Sequence, residues 1–462
     1  MTPRPLAGLL LAAGKGTRMK SDLPKGLHEV AGVPMVELVA RAVSGAGATK
    51  TVVVVGYQGD LVRESLGDKC EYVEQTEQLG TGHAAMMAAG ALEGFEGPVL
   101  VTPGDTPLLS AETLSRLVES FHESEATVAM ATFVTVDPQG YGRIVRDAND
   151  EVVAIVEHKD CSKEQRLILE VNPAVYVFDC QTLLQVLPGL KNLNSQGEYY
   201  LTDAIQAVRD KGGRIVATVF DDPDEFMGVN DRWQLAEASR IMRLRILREH
   251  AMNGVTIVDP TSTYIGLNVV IEPDVTVEPM TVLEGDTKVM TGTKLGPNTW
   301  IKDSKIGRGC RVFMSHIDQA VMEDESRCGP FSNLRPGTHL RKSVKIGNFV
   351  EIKNSEIGEK TAVSHLTYVG DAKVGARSNI GAGTITCNYD GFSKNRTEIG
   401  DDSFIGSNST IIAPRSIGNN SFIAAGSVVT HDVPDGALAV GRSKQENKDG
   451  WVESWRKRQS RQ

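Results

Sequence analysis

From Gly254 onward the chain repeats an aliphatic residue at every sixth position. Ile265, Ile271, Val277, Leu283, Val289, Leu295 and Ile301 keep a strict step of six, as do Ile399, Ile405, Ile411, Ile417, Ile423 and Val429. Between these runs the step is five or six, through Ile306, Val312, Ile317, Leu340, Ile346, Ile352, Ile357, Val363, Val369, Val374 and Ile380. Glycine often follows the aliphatic residue, as in Ile306-Gly307 and Ile399-Gly400. Such a hexapeptide period predicts a parallel β-helix, with the aliphatic side chain inward and a small residue at each tight corner. Its coils contact only their neighbours, so stability is roughly additive along the stack. The period breaks over residues 384–398, which read as a polar loop thrown out of the coil. The charged tail after Arg442, with Trp451 and Trp455, matches no element.

The first half of the chain has a different pattern. Residues 6–13 form an apolar run that ends abruptly in Gly14-Lys15-Gly16, and residues 34–47 predict a helix with Pro34 in its first turn. Residues 51–57, 70–75, 98–102 and 126–134 read as strands. The run TVVVVGY does not alternate, so both of its faces are buried, as in a parallel sheet covered by helices. Residues 143–145 and 152–157 flank Asn149-Asp150 and predict a hairpin laid over that sheet. Strands at 175–178 and 215–220 and a helix over 198–211 complete the unit. Residues 231–252 hold no proline or glycine and predict one long helix. The expected organisation is a mostly parallel, doubly wound α/β domain over 1–230, a linker helix over 231–253 and a β-helix domain over 254–462.

Composition narrows the setting. A chain of 462 residues exceeds one ordinary domain. A net charge of −10 argues against a nucleic-acid partner held by general basicity. The six cysteines show no C-x-x-C spacing and read as reduced cytoplasmic thiols. Arg4 before residues 6–13 mimics a short secretory signal, but the run is at the bottom of the usual length range and the glycine loop interrupts it. No run is long enough for membrane insertion.

The candidate chemistry begins where the first strand ends. A loop at the carboxyl end of a strand is where open α/β sheets bind ligands, and the two glycines permit a tight turn. Lys15, Arg18 and Lys25 bring three cations to it, which suits a polyphosphate. The spacing fails the Walker A pattern, and Met19 stands where the dinucleotide fingerprint needs its third glycine. Asp105, after the fourth strand, and Asn230 are oxygen donors of the kind Mg²⁺ takes. Locally, a solvated glycine turn and a helix-capping Asp105 fit the same residues.

Residues Leu11 to Met19 with Pro24-Lys25 resemble the signature of the sugar-nucleotidyltransferases. Gln75, Gln78-Leu79-Gly80-Thr81-Gly82, Gly104-Asp105, Tyr141-Gly142-Arg143, Glu157-His158-Lys159, Glu198-Tyr199-Tyr200-Leu201-Thr202-Asp203 and Gly228-Val229-Asn230 narrow the match. With His365-Leu366-Thr367-Tyr368 and residues 381–391 (GAGTITCNYDG) in the hexapeptide region, nearly the whole chain resembles one family. That family is the bacterial bifunctional N-acetylglucosamine-1-phosphate uridylyltransferase / glucosamine-1-phosphate N-acetyltransferases.

The resemblance implies a Rossmann-like nucleotidyltransferase domain followed by a left-handed parallel β-helix. It implies N-acetylation of glucosamine 1-phosphate by acetyl-CoA. Mg²⁺-dependent uridylyl transfer from UTP to N-acetylglucosamine 1-phosphate follows, and the product feeds peptidoglycan and other cell-wall precursor synthesis. By that resemblance Leu11, Ala12, Ala13, Gly14, Lys25, Gln75, Gly80, Thr81, Gly142, Glu157, Asn172 and Asn230 hold UTP and the UDP-sugar, with Gln75, Gly80 and Thr81 on the uracil. Arg18 adds phosphate charge, and Asp105 and Asn230 hold the metal. His365 is the base that takes the amine proton. Arg335, Lys353, Tyr368 and Asn379 match the sugar-phosphate set, with Lys394 on the phosphate. Ala382, Asn388, Tyr389, Ser407, Ala425 and Arg442 match the acetyl-CoA set, and Asn388 and Tyr389 the sugar contacts as well. The backbone N–H of Ala382 and the side chains of Tyr368 and Asn388 are candidate oxyanion donors. Homotrimers with shared sites are implied. Pro103 before Gly104 and Pro173-Ala174 after Asn172 depart from the family pattern. A single-activity sugar-nucleotidyltransferase and a non-catalytic exchange-factor subunit share this architecture. The retained Lys15, Arg18 and Lys25, and the set His365, Asn388 and Lys394, argue against both.

Overall fold

The computed structural model describes residues 5–460. Arg4 of the leader-like pattern and the last two residues of the expected β-helix domain lie outside the described residues. The chain divides into two compact units, Met1–Arg245 and Ile246–Gln462. The division falls inside the long helix Arg232–Met252.

The first unit is built on a ten-stranded sheet, counted among the described residues. Its nucleus is β1 (Leu6–Leu11), flanked in parallel by β2 (Ala48–Val55), with β3 (Glu71–Glu74) beyond β2, and on the other side by β4 (Pro98–Pro103). Alternate residues of these strands face different helix layers, which is why the runs do not alternate in polarity. Leu9, Val52, Val54 and Val101 join one buried cluster, and Leu10, Val53, Val55 and Leu100 the other.

The remaining strands are β5 (Val128–Val134), β6 (Gly142–Arg146), β7 (Val152–Val156), β8 (Glu170–Asn172), β9 (Tyr176–Asp179) and β10 (Ile215–Phe220). The sheet is mixed: β9 inserts antiparallel between β4 and β5, while β10 pairs with β5 in parallel. The expected hairpin, β6 and β7, is not laid over the sheet. It extends the edge of the same sheet through β8. Pro34 precedes the first helix, Met35–Gly45, instead of lying in its first turn. The helix expected over 198–211 is shorter, Thr202–Asp210. Residues 198–201 instead pair with the loop before helix Thr81–Met87, since Gly82 N–H donates to Tyr199 O (2.7 Å) and Tyr199 N–H to Leu79 O (2.8 Å).

In the second unit each coil visits three faces in turn, giving parallel sheets of 11, 10 and 9 strands among the described residues. This is the parallel β-helix that the period of six predicts, left-handed as the family resemblance implies. The inward aliphatic residues are buried, from Ile265 through Ile301 and Ile352 to Ile405. Glycine after the aliphatic residue serves close coil stacking: a Cβ on Gly375 would lie 2.5 Å from Asp401 N. A second column was not legible from the period. Buried hydroxyls bridge successive coils: Thr361 Oγ1 donates to Gly375 O (2.6 Å) and accepts from Ser378 N–H (3.0 Å), and Ser378 Oγ donates to Gly400 O (2.8 Å) and accepts from Ser403 N–H (3.0 Å).

The expected loop over 384–398 is shorter in the structure. Ile385–Cys387 and Thr397–Ile399 remain strands of the coil, so only residues 388–396 leave it. Thr386 takes the inward place, 1% exposed, and its hydroxyl accepts from Gly370 N–H (2.8 Å). A threonine in an aliphatic position hides the period. In the tail, Trp451–Gln459 is a helix with no buried residue. Among the described residues no helix is long and apolar enough to cross a membrane.

Candidate functional sites

At the carboxyl ends of β1 and β4 the first unit opens a cavity of about 470 Å³. Leu11, Ala12, Ala13, Gly14, Lys25, Gln75, Gly80, Thr81, Gly142, Glu157, Asn172 and Asn230 all line it, together with Asp105. Arg18 stands at its edge and reaches Asn230 Oδ1 through Nη2 (2.9 Å). Lys15 is not among the lining residues. Gly104 N–H donates to Leu11 O (3.0 Å) and Val229 N–H to Asp105 O (2.9 Å), which sets Asp105 beside Asn230. The Lys25 ammonium contacts the Asp105 carboxylate and also Asn230 Oδ1 (3.0 Å). A carboxylate and an amide oxygen therefore converge on one positive point. That donor set, hard and oxygen-only, fits a hard divalent cation that keeps several waters.

The cavity wall that carries Gln75, Gly80 and Thr81 depends on backbone geometry. Gly80 sits at φ 107°, and a Cβ there would lie 2.5 Å from Tyr199 O. Thr81 Oγ1 accepts from Leu201 N–H (3.1 Å), so residues 198–201 brace this wall. On the opposite side Arg143, 1% exposed, donates to Tyr141 O and fixes the turn that carries Gly142. Asn172 Nδ2 donates to Tyr176 Oη (2.7 Å) and its Oδ1 accepts from Ala174 N–H (3.1 Å). That side chain steadies the departure at Pro173-Ala174, where Ala174 takes φ 62°. Burial pushes the Glu157 carboxyl above the usual range, Thr202 opposes this with a hydrogen bond, and Asp160, Asp203 and Glu198 reinforce it.

In the second unit the candidate residues fall into two groups. His365 lies at the corner between the first and second faces, exposed, and its ring makes no hydrogen bond among the described residues. Ala382, Ser407 and Ala425 occupy the same corner on later coils, linked by Asn408 N–H to Ala382 O (2.7 Å) and Gly426 N–H to Ser407 O (2.8 Å). Arg442 passes over Gly426. The other group gathers where the second face meets the third. Arg335 Nη1 donates to Glu351 (2.7 Å), and Lys353 lies 4.0 Å from Asp371. Lys353 meets Lys394, whose donor lowers the Lys353 pKa first, with burial adding to it. Asn388, 7% exposed, donates to Asp371 and, at 3.5 Å, to Tyr368 Oη. Tyr389 is exposed and closes the 388–396 loop by a bridge to Lys394. Asn379 stands apart, on the first face opposite Ala362 and Phe404.

Sequence reasoning missed Asp371. Burial raises its pKa, but donors from Asn354 and Asn388 and the charges of Lys353 and Lys394 hold it below the usual carboxylate range. It belongs to no recognisable motif, and only the coil geometry puts it under both Asn388 and Lys353. Thr202, which meets Glu157, lay within a quoted motif but had no assigned role.

Two families match the chain: a MobA-like NTP transferase domain over residues 8–196 and the bacterial transferase hexapeptide repeats over 396–431. The chain is 49% identical over 447 residues to bifunctional protein GlmU of Streptococcus agalactiae, covering 96% of this chain and 97% of that one. It is also 49% identical to the bifunctional GlmU proteins of Caldanaerobacter subterraneus, covering 97% and 98% of the two chains, and of Carboxydothermus hydrogenoformans, covering 97% and 100%.

Proposed function

The chain belongs to the GlmU family of bifunctional proteins, and from that premise we propose how its two units divide the chemistry. The protein is an enzyme with uridylyltransferase and acetyltransferase activities. In our reading the second unit acetylates glucosamine 1-phosphate with acetyl-CoA. The first then transfers uridylyl from UTP to the N-acetylglucosamine 1-phosphate so formed. One observation carries this reading: every residue expected around UTP and the sugar, Lys15 and Arg18 excepted, lines a single cavity.

In uridylyl transfer an oxygen of the sugar phosphate attacks the α-phosphorus of UTP and pyrophosphate leaves. Such a step depends mainly on positioning and charge neutralisation. Lys25 and Arg18 supply positive charge within reach of the triphosphate, while Glu157, Asn172 and the Gly142 backbone hold the acetylated sugar. The converging oxygens of Asp105 and Asn230 fit Mg²⁺, which when bound would neutralise phosphate charge.

In acetyl transfer the His365 ring takes a proton from the amine, the amine attacks the thioester carbonyl, and the CoA thiolate leaves. Arg335, Lys353 and Lys394 form a cationic cradle for the sugar phosphate. Of the three oxyanion candidates we favour the Ala382 N–H, which makes no hydrogen bond among the described residues, whereas the Asn388 amide is committed to Asp371. The two groups lie at different corners of the coil, and Asn379 lies on another face. We propose that copies of the chain bring them together, as a homotrimer. Phe331 and Phe349 support this: they stack at 5.2 Å, are more than half exposed, and share the His365 corner with Leu366, 63% exposed. We assign the enzyme to the cytoplasm, which supplies both nucleotide substrates and keeps the six free cysteines reduced.

The test mixes purified protein with glucosamine 1-phosphate, acetyl-CoA, UTP and Mg²⁺ while following free CoA and pyrophosphate. Omitting acetyl-CoA should stop both signals, and adding N-acetylglucosamine 1-phosphate should restore pyrophosphate alone. His365→Ala should lose CoA release and keep uridylyl transfer. Loss of both activities in a folded variant would refute the separation of sites.

A further inference from the structure

Gln75 is 3% exposed yet lines the nucleotide cavity, and its side-chain amide is fully committed on one end. Nε2 donates to Gly80 O (3.1 Å) and lies 3.0 Å from His83 Nδ1. An amide nitrogen only donates and a backbone carbonyl only accepts, so the Gly80 contact fixes which end of the amide is which. His83 Nδ1 must then accept, which places the neutral ring's proton on Nε2. Both hydrogens of Gln75 Nε2 are used. No donor among the described residues reaches Gln75 Oε1, so that acceptor is the only atom of the side chain left for a ligand. His83 itself is absent from the cavity wall; it lies behind Gln75, on the first turn of helix Thr81–Met87, with its ring 6.3 Å from that of Tyr199.

We infer that His83 is a positioning residue for base selection: by holding the Gln75 carboxamide in one orientation it makes the site accept uracil and reject cytosine. The inference rests on the reading of Gln75 as a base contact. Uracil presents an N3–H donor, and Gln75 Oε1 is its acceptor. Cytosine presents an unprotonated N3, an acceptor, and would face a second acceptor. To serve cytosine the carboxamide would have to turn over. Its oxygen would then oppose the Gly80 carbonyl, and the His83 ring would have to shift its proton from Nε2 to Nδ1 to keep its contact. A buried polar group left opposed or unpaired is what gives a hydrogen-bonding pocket its large discrimination. Without His83 only Gly80 O resists the turn, and selectivity weakens.

The experiment measures kcat/KM for UTP and for CTP in uridylyl or cytidylyl transfer, with the thermal unfolding of the first unit in the same preparations as the measure of folding. His83→Leu removes the acceptor and should lower the UTP-over-CTP ratio about tenfold or more, mainly through KM for UTP and with KM for N-acetylglucosamine 1-phosphate unchanged. His83→Asn, whose Oδ1 can stand in for Nδ1, should keep the ratio within about threefold. If leucine is not tolerated beside Tyr199, His83→Ala removes the same acceptor without steric demand. Gln75→Leu separates the two ideas. If Gln75→Leu lowers the ratio and the folded His83→Leu or His83→Ala variants do not, the positioning role is overturned and the base contact stands. If Gln75→Leu leaves the ratio unchanged, the base contact falls and the positioning role falls with it.

Discussion

At the scale of single residues, the two sites are shaped by carboxylates pushed in opposite directions. Burial raises the Glu157 pKa, whereas donors and lysines lower that of Asp371. A carboxyl with a raised folded pKa favours the fold while protonated, and that contribution is lost as pH rises through the folded pKa. Glu157→Gln should therefore stabilise the first unit at pH 8 and not at pH 4. A gain of about 1 kcal/mol would raise Tm by about 2–4 °C. The same variant should bind N-acetylglucosamine 1-phosphate more weakly, since it swaps a charged acceptor for a neutral amide. Thermal scans at the two pH values and KM for the sugar phosphate check both halves. Glu157 could be named from its motif, but its environment could not. Thr202 and Asp203 lie far along the chain and meet it only through the packing of helix Thr202–Asp210 on the sheet.

Elements explain why some residues are irreplaceable. Gly80 closes the turn into helix Thr81–Met87 at a left-handed φ, against the Tyr199 carbonyl. Gly80→Ala must push that carbonyl away and break the brace to residues 198–201. We expect uridylyl transfer to fall by at least tenfold, chiefly through KM for UTP, with acetyl transfer unaffected; steady-state kinetics of both reactions decide it. The sequence made this element visible through its glycines, yet placed residues 198–201 in a helix. Tertiary pairing to Leu79 and Gly82 overrides helical propensity there. The β-helix was legible almost coil by coil, because each inward aliphatic residue recurs at a fixed step. The exception at Thr386 has a physical cause: a buried hydroxyl that satisfies Gly370 N–H can fill an inward place as well as a methyl group can. The hydroxyl column was illegible for the converse reason. Serine and threonine are ordinary surface residues, and only stacking reveals that Thr361, Ser378 and Ser403 point at their neighbours' backbones.

For the whole molecule, two units with separate candidate chemistry predict that each activity survives alone. A fragment ending near residue 230 should retain uridylyl transfer, and one starting near residue 254 should retain acetyl transfer. A properly folded second fragment that moves no acetyl group would defeat the two-site reading. Within the second unit, the separation of His365 and its column from Lys353, Asp371 and Asn388 has a genetic counterpart. If each acetyl-transfer site draws its two groups from different chains, a His365→Ala chain and a Lys353→Ala chain are each inactive alone but complementary when mixed. Random co-assembly of equal amounts would leave roughly a quarter of the sites with both groups intact. Two defective alleles expressed in one cell should then restore growth that neither supports, whereas a site built within one chain would leave such a cell without acetyl transfer.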